Sequence, residues 1–308
     1  MQNKRKDYNG WFLFCYGLGL TLFLFLSAPL YVQAADASKS YQAEDAAPKE
    51  GDKLFYETRA IWIGTKGAAT GSDTVATKGE WVVKNQRTYY QIDGKKQKGL
   101  QRINGKTYFF DSRGIQRTGW QKLEGDFYFF EIANGKKGYM KTSTKINGIT
   151  LKKNGKAKLT KNSTEKLEVL IKANKIVEKV TKPGMSKSEK LKKCYQYAMK
   201  QFQYRGSPKF YKTSKWELDY ALDMFDEGHG SCYAYGAAMA FLANAVGYED
   251  CYAISSGGHG WAEIDGNVYD ISWELVDKKH TYYALSYSLS GVDGRPNYQG
   301  GRVYIKKI

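Results

Sequence analysis

A glycine returns at a near-constant interval through the middle of this chain: Gly94, Gly114, Gly135 and Gly155 lie 20, 21 and 20 residues apart. A fixed period constrains the fold more than local propensity does, because it marks one supersecondary unit used again and again. Aromatic clusters keep the same beat: Thr88-Tyr89-Tyr90, Thr107-Tyr108-Phe109-Phe110-Asp111 and Phe127-Tyr128-Phe129-Phe130-Glu131. Each is followed by a turn that ends in glycine, as in Asp93-Gly94 and Asn134-Gly135. A β-prone run leading into a dipeptide that tolerates positive φ reads as a β-hairpin. A hairpin of about 20 residues cannot bury its own aromatic face, whereas stacked neighbours can. Residues 53–161 are therefore expected to form an all-β hairpin-repeat solenoid.

The repeat region also carries most of the charge. The 308-residue chain has a formal net charge of +17, and Trp81 to Lys161 holds 19 Lys or Arg against 5 Asp or Glu. Such a field favours anionic partners, a cell-wall polymer or an anionic glycan among them. The start of the chain argues against nucleic acid. Lys4, Arg5 and Lys6 precede an apolar run from Trp11 to Tyr31, and Val32-Gln33-Ala34 offers small residues for cleavage. Residues 1–34 read as an export signal, which leaves a secreted, wall-associated protein with no stable membrane insertion after cleavage. Residues 35–52, polar and small, read as a linker.

The repeats resemble the cell-wall-binding repeats of Gram-positive surface proteins, the choline- and glucan-binding class. The matching segments are Gly105-Lys-Thr-Tyr-Phe-Phe-Asp, Thr118-Gly119-Trp120 and Gly125-Asp-Phe-Tyr-Phe-Phe-Glu. The resemblance implies ligand contacts from Trp81, Tyr89, Tyr90, Tyr108, Trp120 and Tyr128, by cation–π attraction or by stacking. The sequence departs from the family in having only Trp81 and Trp120 as tryptophans for such cages, which points to general wall or glycan adhesion rather than choline. The bland reading is that most of these rings are hairpin core.

From residue 162 the periodicity changes. Leu167, Leu170, Ile171 and Val177 keep helical spacing, and Ser186-Lys-Ser-Glu189 forms a capping box for a second helix. Trp216 to Phe225 gives a third, and Cys232 to Val246, rich in Ala and Gly, a fourth. Cys251–Ser255, Gly260–Ile264, Val268–Ser272, Tyr282–Ser288 and Arg302–Ile305 then read as strands. Helices followed by an antiparallel sheet make residues 162–308 an α+β domain.

After signal removal three cysteines remain, an odd number that leaves at least one free thiol. Cys194 lies on the apolar face of a helix and reads as core. Cys251 opens a strand, and the sequence leaves open whether it is buried or paired with Cys194. Cys232 follows Gly228-His-Gly-Ser and starts a helix, where unpaired N–H groups and the helix dipole favour a thiolate nucleophile. His280 sits in a Lys-rich turn and reads as exposed, and His229 reads as a loop residue. His259, in Gly257-Gly-His-Gly-Trp261, stands at the mouth of a strand. Asp270 lies 11 residues further, across the Asp265-Gly266 turn, where it can orient the imidazole. No Cys or His pair has metal-ligand spacing, and no glycine-rich loop suits a phosphate, so no cofactor is expected.

Three motifs in order, Gly230-Ser-Cys232-Tyr-Ala-Tyr235, His259-Gly-Trp261 and Asp270-Ile-Ser-Trp273, resemble those of the transglutaminase-like superfamily. The resemblance implies a papain-like core with Cys232 as nucleophile, His259 as general base and acid, and Asp270 as orienter. It implies acyl transfer at amide bonds of a protein or peptide: peptidase or deamidase chemistry with water, cross-linking with an amine. Two other readings remain: a non-catalytic adhesin on the same scaffold, and a wall-peptide-cleaving cysteine peptidase with a Cys–His–His site. The family's oxyanion donor upstream of Cys232 has no evident counterpart in the sequence.

Overall fold

The computed structural model describes residues 79–132, 138–206 and 209–308. The export signal, the linker, the repeat region up to residue 78, and the Asn134-Gly135 turn lie outside the described residues.

The repeat region is a series of small antiparallel sheets. β1 (Glu80–Lys84), β2 (Arg87–Ile92) and the short β3 (Lys95–Lys96) form the first, and β4 (Gly99–Ile103), β5 (Lys106–Phe110) and β6 (Gln116–Arg117) the second. β7 (Gly119–Leu123) pairs with β8 (Asp126–Phe130), and β9 (Lys145–Ile146) with β10 (Ile149–Thr150). Asp93-Gly94 connects β2 to β3, a turn expected from the sequence. Equally tight two-residue turns also precede the aromatic clusters, at Asn104-Gly105 and Glu124-Gly125, and in all three both residues take positive φ. That geometry matches the right-handed strand twist. Rings from successive sheets touch: Trp81 meets Tyr108 at 5.0 Å, and Phe109 meets Phe130 at 5.9 Å.

Four long helices follow, α1 (Ser163–Val180), α2 (Lys187–Gln201), α3 (Trp216–Glu227) and α4 (Cys232–Val246). The capping box at α2 is formed in both directions between Ser186 and Glu189. Between α2 and α3 the chain makes β11 (Gln203–Tyr204), which pairs in parallel with β12 (His229–Gly230) just before α4. The main sheet is antiparallel. It contains β13 (Cys251–Ser255), β14 (Gly260–Ile264), β15 (Asn267–Tyr269), β16 (Leu285–Ser286) and β17 (Tyr304–Lys307), in the order β16-β15-β14-β13-β17.

The strands differ from expectation in three places. The one expected over 268–272 stops at Tyr269, and Asp270 instead caps a short helix, α5 (Ile271–Val276), by accepting the Trp273 N–H. The one expected over 282–288 shrinks to two residues, since Ala284 takes φ 55° and cannot continue a strand. The last begins at Tyr304 rather than Arg302.

Helix α4 is the centre of the molecule: every residue but Asn244 is buried. Its small residues let it lie against β14. A Cβ on Gly236 would fall 2.6 Å from the Trp261 carbonyl carbon, and one on Gly260 2.8 Å from Tyr233 Cα. Larger residues at either position would force helix and strand apart.

The same core takes in the later hairpins. Trp120, Phe127, Phe129, Ile149, Leu151 and Ala157 pack in one cluster with Leu167, Leu170 and Val177 of α1 and with α4. Trp120 Nε1–H donates to Asn147 Oδ1 (2.9 Å), and Asn147 Nδ2–H donates to Asn244 Oδ1 (2.9 Å). Asn174 on α1 donates to the Thr118 carbonyl (2.8 Å), and Arg117 pairs with Glu178 (2.6 Å).

Candidate active site

Cys232 is the first residue of α4. Gly228 ends α3 in the left-handed region at φ 69°, which turns the chain through β12 and into the new helix. Ser231 precedes Cys232 in extended conformation, and its hydroxyl does not cap the helix. The first N–H groups of α4 therefore face the site without an intrahelical acceptor. Cys232 itself is 4 % exposed.

His259 reaches this point because of the close approach at Gly260. Its N–H donates to Ser256 Oγ (2.9 Å) and its carbonyl accepts from the Ser256 N–H (2.9 Å), which fixes the bend between β13 and β14. The imidazole Nε2 meets Asp270 Oδ2 at 2.5 Å. The Cys232 side chain lies within hydrogen-bond contact of the same ring, on which Nδ1 is left to face it. The Trp261 ring stacks on the imidazole at 6.0 Å between centroids and 22° between planes.

Asp270 is buried and fully engaged. Oδ2 accepts from His259 and from the Tyr298 hydroxyl (2.9 Å), while Oδ1 accepts from the Ser272 hydroxyl (2.7 Å) and the Trp273 N–H (3.1 Å). Burial alone would raise its carboxyl. The His259 charge and these donors outweigh burial and hold it below the usual carboxylate range. Burial would likewise lower the His259 imidazole, but Asp270 and Cys232 together push it above its ordinary value. The arrangement suits a thiol that gives its proton to an imidazole whose cation a carboxylate stabilises.

The other thiols and histidines lie elsewhere. Cys194 and Cys251 are both free and buried. Burial pushes Cys194 up to about 12 and raises Cys251 as well, so neither is poised as a nucleophile. His229 is half-buried in β12. His280, expected to be exposed, is half-buried, because its Nδ1 bonds Asp277 Oδ2 at 2.7 Å. Tyr298, 28 residues beyond Asp270 and supplied by the C-terminal loop, had no signal in the sequence. Among the described residues, no group of three or more His, Cys, Asp or Glu is placed to hold a metal ion.

The six ring positions singled out in the repeats divide. Trp81 and Tyr90 are half-buried and meet each other at 5.2 Å, with Tyr108 buried beneath Trp81. Tyr89 is buried, and Lys96 Nζ lies 3.8 Å from its ring centroid. Tyr128 is half-buried. Trp120, 3 % exposed, belongs to the core shared with the helices.

Residues 97–143 match the family model of the choline-binding repeat, and residues 174–277 match that of the transglutaminase-like superfamily. A transglutaminase-like segment thus follows choline-binding-type repeats in this chain. Among solved structures, CbpJ from Streptococcus pneumoniae TIGR4 is 26 % identical over 25 % of this chain and 27 % of its own, with a TM-score of 0.23. Choline binding protein F from Streptococcus pneumoniae, crystal form II, is 30 % identical over 25 % of this chain and 27 % of its own, with a TM-score of 0.23. The choline binding domain of Spr1274 in Streptococcus pneumoniae is 26 % identical over 28 % of this chain and 100 % of its own, with a TM-score of 0.24. The chain spans 27 % of the length of the first two. No curated protein matches it.

Proposed function

We propose that this protein is a thiol enzyme of the bacterial cell surface that transfers the acyl group of an amide, held at the wall by its repeats. The carrying observation is the chain of contacts from Cys232 through His259 to Asp270, with four donors fixing the carboxylate. Cys232 attacks the amide carbonyl and forms a thioester, and His259 protonates the leaving amine. Water then releases the acid, as in a peptidase or deamidase. An amine in its place would give a cross-link. Of the two outcomes hydrolysis is favoured, by analogy with bacterial proteins of this superfamily.

The repeats supply location. As a stacked hairpin solenoid with a net positive charge, they would hold wall polymers through half-buried rings such as Trp81 and Tyr90, raising the local concentration of wall peptides and surface proteins. The early apolar segment fits export. Among the described residues, no helix is long and apolar enough to cross a membrane.

Incubation of the protein with purified bacterial walls, with and without an amine donor, tests this by mass spectrometry of the products. Hydrolysed amides that vanish with Cys232→Ala support the reading. Incorporation of the amine in their place makes the enzyme a transferase. Walls unchanged by wild type, together with no difference in thiol labelling between wild type and Cys232→Ala, leave a non-catalytic adhesin.

A further inference from the structure

Tyr298 lies beyond residues 174–277, the segment that matches the transglutaminase-like model, yet its hydroxyl ends on Asp270. It sits in the loop between β16 and β17, which is closed by its own polar groups. The Gln299 N–H donates to Ser290 Oγ (2.8 Å), the Gly300 N–H to Asn297 Oδ1 (2.9 Å), and the Gly291 N–H to the Pro296 carbonyl (3.0 Å). The loop thus offers one ring from a fixed frame. That ring is 1 % exposed and meets Trp261 edge-on at 5.1 Å and 73°. Its hydroxyl donates to Asp270 Oδ2 at 2.9 Å.

Oδ2 is also the oxygen that holds His259 Nε2. Oδ1 accepts from the Ser272 hydroxyl and the Trp273 N–H, two donors that already set the direction of the carboxylate. A further donor is therefore not needed to aim Asp270. What it changes is the charge that Oδ2 can offer to the imidazolium, because two donors now share one acceptor. We infer that Tyr298 is a positioning residue that tunes His259: by sharing Oδ2 it limits how tightly Asp270 holds the imidazolium, so that the proton taken from Cys232 can pass on to a leaving group. The inference rests on the acyl-transfer reading above. Burial, reinforced by Asp270, raises the phenol well above its ordinary value, so its hydroxyl stays protonated and remains a donor. The other titratable groups facing the His259–Asp270 pair are Cys232 of α4 and the phenols of Tyr195 on α2, Tyr204 on β11 and Tyr282 after α5. Of the four phenols, Tyr298 is the one hydrogen-bonded to Asp270.

The full chain has three histidines. NMR of the protein carrying isotope-labelled histidine therefore resolves few titrating signals, and His259 is the one lost in His259→Gln. The pH midpoint of that signal reads how tightly Asp270 holds the imidazolium. Tyr298→Phe keeps the ring and its packing on Trp261 and takes one donor from Oδ2. We expect the midpoint to rise by about 0.5–1 pH unit, on the order of what one hydrogen bond to a carboxylate moves. Replacing Tyr298 by 3-fluorotyrosine makes a stronger donor on the same ring and should lower it. Ser272→Ala, which frees Oδ1, should shift it less than Tyr298→Phe does. A midpoint unmoved by both changes at Tyr298, or moved the same way by both, would overturn the inference and leave the phenol a packing residue. If Tyr298→Phe does not fold, the direction of the shift in the fluorinated protein decides. A wild-type midpoint that Cys232→Ala leaves unchanged would instead sink the relay from thiol to imidazole, and with it the acyl-transfer reading.

Discussion

The early and late hairpins share one repeat and meet two fates. In the early pair, Ile103, Tyr108 and Phe110 form a small cluster of their own, covered by the half-buried Trp81, Tyr90 and Tyr139. In the late pair the equivalent aromatic face is spent on helices α1 and α4: Trp120, Phe127 and Phe129 are part of the main core. The same β-hairpin can close on a small cluster of its own or extend a globular core, depending on what it meets. The half-buried Trp81 and Tyr90 rings thus lie on the early hairpins, whereas the late hairpins are built into the core shared with α1 and α4.

The largest expected effect follows from cutting the chain at that boundary. Deleting residues 119–158 removes part of the core, and the product should lose cooperative thermal unfolding and thiol reactivity together. Deleting residues 79–98 should leave both while reducing retention on bacterial walls. A folded, reactive 119–158 deletion would break the comparison.

Single tryptophans give the next effect. Trp120→Ala should cost about 3–5 kcal/mol in denaturant unfolding, as for a fully buried large ring. Trp81→Ala should cost about half of that or less, yet weaken wall binding more. Equal costs would mean that both hairpin pairs are anchored alike. A smaller step is Asn244→Ala, which leaves Asn147 Nδ2 without its partner in the shared core. It should cost about 1–3 kcal/mol, and a neutral result would argue that the Trp120–Asn147–Asn244 chain is incidental.

The smallest effect is one of pH. Burial raises the Glu178 carboxyl, and Arg117 offsets this only in part. A carboxyl raised on folding stabilises the fold below its unfolded value of about 4.3, and that contribution fades as pH climbs through the folded value. Stability should therefore decline slightly from about pH 4 towards pH 7 on this account, and Glu178→Gln should remove that component from pH-dependent melts. A slope of opposite sign that Glu178→Gln abolishes would mean that Arg117 dominates the junction.

What was legible in the sequence was contiguous. Gly-Ser-Cys at a helix start, His-Gly-Trp at a strand mouth and Asp-Ile-Ser-Trp each carry their meaning within a few residues. The capping box at Ser186 and the helix spacing of Leu167, Leu170 and Val177 were visible for the same reason. Asp270-Ile-Ser-Trp alternates like a strand, so the short helix it caps was not apparent. Tyr298 on Asp270 is a contact across 28 residues, and no local pattern announces it. The capture of the late hairpins by α1 was hidden too: Trp120 and Trp81 obey the same repeat, and only Asn174, Glu178 and Asn244 on distant helices tell them apart.

The central claim is that Cys232 alone among the thiols takes up an acyl group with help from His259 and Asp270. Intact-protein mass spectrometry of the full chain during reaction with peptides released from purified walls tests it most directly, with the modified residue located by digestion. The account predicts an acyl adduct confined to Cys232, absent in Cys232→Ala, and slowed about 10³–10⁴-fold in Asp270→Asn, as for loss of the carboxylate of a triad. An adduct on Cys194 or Cys251, or one that forms at the wild-type rate in Asp270→Asn, would contradict it.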